Sequence, residues 1–171
     1  MNKQIVCING VCMSGKDTFV SLCQEDEGTN RIWNYSSVDK VKEIAKACGW
    51  DGEKTPAARK FLSDLKDLTE NFCEMPYKSM CEKIAEFEQD KDAVVLFLHI
   101  REPEQIARIQ KEFGAKSMLV TRAGHNPEIS NHADADVYNY TYDYHVKNDM
   151  DLAYLSYLAA TWFDTFIREH D

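Results

Sequence analysis

Gly10-Val11-Cys12-Met13-Ser14-Gly15-Lys16-Asp17-Thr18 is the stretch whose reading decides the fold. It fits G-x-x-x-x-G-K, and the next position, where a hydroxyl residue is expected, holds Asp17. Upstream, QIVCIN at 4–9 is short, apolar and β-branched, and Gly10 stops it, which reads as a buried strand. Downstream, residues 15–24 carry Phe19, Val20, Leu22 and Cys23 as the apolar positions of a helix. A plain glycine turn before a helix accounts for fewer of these features than a phosphate cradle does. In a cradle, backbone N–H groups point inward and the helix start adds its positive end, Gly10 and Gly15 suit tight turns and close backbone approach, and Met13 and Ser14 belong to the binding loop. Lys16 then acts as a point charge between phosphates, poorly buried and directed at the loop's centre. Thr18 supplies a hydroxyl. Asp17 is a hard oxygen donor for magnesium, directly or through water, and is also favourable at a helix N-terminus.

The pattern continues outward as strands alternating with helices. Strands are expected at 32–36, 93–98, 116–121 and 144–147, and AVVLFL at 93–98 is apolar enough to be covered on both faces. Helices are expected at 38–48, 56–72, 77–89, 102–112 and 151–168, with Leu62, Leu65, Leu68 and Phe72 on one face of the second. Residues 122–136 are polar and unpatterned. Tyr138, Tyr140, Tyr142 and Tyr144 alternate as one face of an extended chain, for which sheet packing is the expected use and base stacking the rival. This alternation implies an α/β fold with a mainly parallel sheet.

Composition narrows the function classes. The chain has 171 residues, 44% hydrophobic and 29% charged, so a single globular domain with its own core is expected. A net charge of -9 argues against a nucleic-acid binder, which needs a basic surface. The six cysteines form no C-x-x-C and no zinc spacing, and read as reduced thiols. No apolar run approaches a membrane span, and the start lacks a signal-peptide pattern, so a cytoplasmic location and no membrane partner are expected.

Order along the chain carries a resemblance. Ser14-Gly15-Lys16-Asp17-Thr18 is followed by Ser36-Ser37-Val38-Asp39-Lys40-Val41-Lys42, by Arg59-Lys60-Phe61-Leu62, and by His99-Ile100-Arg101-Glu102-Pro103. Val120-Thr121-Arg122 and Ser130-Asn131-His132 come later in matching order. Over nearly its whole length the chain resembles the deoxynucleoside monophosphate kinases among the P-loop kinases. It departs where the pattern favours Asp and His99 stands, and around His132, where a Ser-Glu pair is not evident.

That resemblance implies a three-layer α/β/α sandwich of the P-loop nucleoside triphosphate hydrolase fold. One kinase domain spans 1–171, with a helical acceptor-binding insert at about 38–90 and a lid-like loop at about 122–136. ATP and magnesium bind at Gly10–Thr18, with Asp17 on the metal. Asp39, Lys42, Arg59 and Arg101 become candidate acceptor contacts, since phosphate is held by arginine forks and lysine charges. Lys16, Arg101 and Arg122 become the groups that neutralise charge on a transferring phosphoryl group. Each has a plainer role: a helix-start acid for Asp39, a solvated helix face for Lys42 and Arg59. Residues 139–143 are expected near the donor's adenine. The acceptor is a small phosphorylated molecule, a (deoxy)nucleoside monophosphate or a similar metabolite. Alternatives are a non-nucleotide acceptor such as dephospho-coenzyme A, or a regulatory nucleotide-binding protein with little turnover. A homodimer is compatible with all of these.

Overall fold

The computed structural model describes residues 3–29, 31–124 and 136–168, with the side chains of residues 167 and 168 excepted. Its strands are β1 (Gln4–Asn9), β2 (Ile32–Ser36), β3 (Val95–His99), β4 (Lys116–Thr121) and β5 (Tyr144–Lys147). Its helices are α1 (Lys16–Glu27), α2 (Asp39–Ala47), α3 (Pro56–Cys73), α4 (Met75–Gln89), α5 (Pro103–Phe113) and α6 (Leu152–Arg168). The sheet runs β2-β3-β1-β4-β5, and every pairing in it is parallel. The central strand is therefore the one that feeds the glycine loop.

Period-two alternation along that strand builds two cores. Ile5 and Cys7 face α4 and α5, where they meet Tyr77, Ile84, Phe87, Ile106 and Ile109. Val6 and Ile8 face α1 and α6, where Phe19, Cys23, Phe163 and Phe166 wait. Helices cover both faces, giving three layers. Among the described residues no helix is long and apolar enough to cross a membrane. The six cysteines are free thiols, and burial pushes the Cys23 thiol up to about 12.

Within the stretch 38–90 the helices differ in kind. α4 buries Tyr77, Met80, Ile84 and Phe87 and belongs to a core layer. α3 starts cleanly, with Pro56 in its first turn and Thr55 Oγ1 accepting from Ala58 N–H at 3.1 Å, yet it buries no residue. The expected apolar face of α3 is corrected. Leu62 and Leu65 are half-buried, whereas Leu68 and Phe72 stand 66% and 86% exposed. The face turned inward is polar: Lys66 pairs with Glu102, and Gln105 Nε2 donates to Glu70 Oε1 at 2.9 Å.

The tyrosine alternation is also corrected. Only Tyr144 lies in a strand, and it packs on Trp162 and Phe166 in the α1/α6 layer. Tyr140 and Tyr142 join the opposite core, and Tyr138 is exposed.

Candidate functional site

Parallel strands deliver the chain leaving each of them to one edge of the sheet, the usual place for a ligand crevice. That edge collects Gly10, Asp39, Arg101, Arg122 and Asn148, which follow β1 to β5 in turn.

The glycine loop is shaped by what cannot fit in it. Gly10 has φ 156°, and a Cβ there would stand 2.5 Å from both Ser14 Oγ and the Val120 carbonyl oxygen. Gly15 has φ 99°, and a Cβ there would stand 2.3 Å from Asn148 Nδ2. Met13 holds a left-handed φ of 60° with its side chain 68% exposed. Ser14 is fully buried, and its Oγ has no hydrogen-bond partner among the described residues. Lys16 corrects one expectation: the residue is buried at 9% exposure. Its Nζ nevertheless turns into the loop, 3.4 Å from the Val11 carbonyl oxygen.

A pocket of about 330 Å³ opens over the loop residues Met13 to Thr18 and is closed by Arg122, Asn148, Leu152 and Leu155. Polar floor and apolar wall together suit a phosphate chain attached to a flat apolar group. Residues 139–143, expected beside that group, are elsewhere. Tyr142 is in the opposite core, and Asp143 accepts from Ser117 N–H and Gln110 Nε2, both at 2.8 Å.

Asp39 opens α2 and reaches back, its Oδ2 accepting from Ser36 N–H at 2.8 Å and its Oδ1 from Lys42 Nζ at 3.0 Å. The helix-start role is thus present, and Lys42 is its counter-ion. Arg59 is exposed at the start of α3, where its Nε donates to the Lys54 carbonyl at 3.3 Å. Arg101 is half-buried just after β3. His125, His132 and most of the stretch 122–136 lie outside the described residues.

No family model matches the chain, and no curated protein does. Among solved structures it resembles a sugar kinase from Janibacter sp. HTCC2649, with TM-score 0.51, 12% identity, and 96% and 95% of the two chains covered. It likewise resembles shikimate kinase from Aquifex aeolicus, with TM-score 0.50, 12% identity, and 94% and 98% covered. The fold is a three-layer α/β/α P-loop fold. At these identities the likeness establishes fold alone.

Two P-loop neighbours escaped the sequence reading. Asn148 is 8% exposed, and its Nδ2 donates to the Ser14 carbonyl at 3.0 Å, which props the loop from behind. Asn9 is 1% exposed and joins three segments. Its Oδ1 accepts from Gly10 N–H at 2.8 Å, and its Nδ2 donates to the Arg101 carbonyl at 3.1 Å and to Tyr142 Oη at 2.9 Å. Tyr142 Oη in turn donates to the Val137 carbonyl at 2.8 Å. The available signal was a polar amide at the carboxyl end of an apolar strand, a position that needs a reason to be buried.

His99 ends β3, paired in register with Ile8 and Ser36. Its Nδ1 stands 3.4 Å from Asp17 Oδ1, longer than a good hydrogen bond, and its buried Nε2 has no partner among the described residues. Burial holds the imidazole pKa down at about 4; Asp17 opposes this and Lys16 reinforces it. The folded state therefore keeps His99 neutral, while the unfolded chain takes up a proton near 6.5. Stability from this group is full above pH 6.5 and drains away as pH falls toward 4, by roughly 3 kcal/mol in total. Urea melts at pH 7 and pH 4.5 check this: His99→Gln should lose less stability on acidification than the parent, and equal losses in both would refute it.

Proposed function

We propose that the chain is an ATP-dependent small-molecule kinase whose acceptor carries a phosphate, a (deoxy)nucleoside monophosphate or a similar metabolite. The observation that carries this reading is the loop itself: two glycine positions with no room for a Cβ, a buried serine hydroxyl without a partner among the described residues, and Lys16 turned inward. Those features fit a phosphate chain and are costly without one, since an unpaired buried hydroxyl loses free energy. Leu152 and Leu155 supply an apolar wall for the donor's base.

In this reading Lys16 and Arg122 face the phosphates from two sides of the pocket, and Arg101 approaches from the β3 end. Positioning and charge neutralisation supply most of the acceleration. Asp17 is the residue that would hold a divalent cation, its side chain 83% exposed at the pocket's floor. Such an ion neutralises phosphate charge when bound. The acceptor side is assigned to α2, which follows β2 and anchors itself by burying Val41 and Ala45, and to α3, which buries no residue. The free thiols and the acidic surface accord with a cytoplasmic protein that binds small molecules.

ATP consumption measured against a panel of acceptors tests this. Nucleoside and deoxynucleoside monophosphates, dephospho-coenzyme A and a no-acceptor control form the panel. ADP release that depends on a monophosphate is expected. ATP binding with no release on any acceptor would instead establish the regulatory reading.

A further inference from the structure

We propose that Asp17 and His99 form a mixed oxygen–nitrogen pair that makes this site prefer a first-row transition ion, such as Mn2+, over Mg2+. The inference rests on the nucleotide-binding reading above and deepens it. The two side chains come from different elements, the first turn of α1 and the carboxyl end of β3, and meet at the mouth of the phosphate loop.

Their spacing suits a shared ion. An ion about 2.0–2.2 Å from one oxygen and one nitrogen holds them about 3.0 Å apart at a right angle and about 3.5 Å apart at the tetrahedral angle. The observed Nδ1–Oδ1 separation is 3.4 Å. Nor is the imidazole already employed. Among the described residues Asp17 is its one near partner, beyond good hydrogen-bond length, and its buried Nε2 has none. Strand register with Ile8 and Ser36 fixes where the ring sits. The Asp17 carboxylate is open enough to complete the pair, with phosphate oxygens and water left to fill the remaining positions.

Ligand type then sets the choice of metal. Mg2+ takes oxygen ligands and is a poor match for imidazole, whereas Mn2+, Co2+ and Zn2+ accept one readily. An all-oxygen site loses this discrimination.

Electron spin-echo modulation on the full chain loaded with Mn2+ and a non-hydrolysable ATP analogue tests the pair directly. Nitrogen modulation from one imidazole is expected, and it should vanish in His99→Asp. Competition binding should show the Mn2+/Mg2+ affinity ratio falling about tenfold or more in that variant. His99→Asn serves the same purpose should the added carboxylate prevent folding. Mn2+ bound beside the analogue without nitrogen modulation overturns the proposal, as does modulation that survives in the variants. If the analogue does not bind at all, the kinase reading fails by itself. Mn2+ alone then decides this inference: modulation lost on replacing His99 sustains it, and no modulation ends it.

Discussion

Lys16→Ala should lower phosphoryl transfer by about 100-fold or more, the scale of removing one group aimed at a developing charge. The ammonium is the side chain's only charged part, and it already points at the Val11 carbonyl, inside the loop. Because the residue is buried, alanine also leaves a gap, and some stability should go with it. Lys16→Met separates the two effects by keeping most of the volume and dropping the charge. Both variants should lose transfer alike, and the methionine variant should melt closer to the parent. Single-turnover rates and thermal melts read this out. A methionine variant that retains parental transfer would remove Lys16 from the chemistry and the loop from the proposed role.

Gly10→Ala should cost roughly 2–4 kcal/mol, from overpacking plus a backbone angle unsuited to a side chain. The added methyl would stand 2.5 Å from the Val120 carbonyl oxygen, a backbone atom of β4 beside the central strand, which cannot swing aside. Gly49→Ala is the matched control. Gly49 also has positive φ, at 98°, but a Cβ there meets nothing within 4 Å. It should cost about 1 kcal/mol, the backbone part alone. Denaturant melts of the two variants measure the difference. Equal costs would mean that the loop yields easily and is no rigid cradle.

The fold was legible because its signals are local. QIVCIN, AVVLFL and the break at Gly10 define elements within a few residues of themselves, and the strands appear almost where periodicity puts them. The strand at 93–98 shifts to Val95–His99, so that His99 is the end of the strand rather than the residue after it. What could not be read is whatever joins distant segments. Asp17 and His99 are far apart in sequence, and nothing in either neighbourhood announces that they meet. Asn148 behind the loop, and Asn9 between the loop and Arg101, are likewise products of strand order. The apolar residues of α3 misled for a different reason. Helical spacing identifies a stripe, but Lys66 and Glu70 of α3 found Glu102 and Gln105 at the start of α5, so a polar face turned inward and Leu68 and Phe72 were left outside.

The bond chain Gly10–Asn9–Tyr142–Val137 has a thermodynamic consequence. One buried amide is shared by the phosphate loop and by the chain that leaves the 122–136 stretch, so neither end can change its geometry without the other paying or gaining free energy. Linkage then requires reciprocity: whatever factor phosphate in the loop contributes to holding the segment that begins at Val137, holding that segment returns to phosphate affinity. Filling the loop and holding the segment at Val137 in place become two readouts of a single equilibrium.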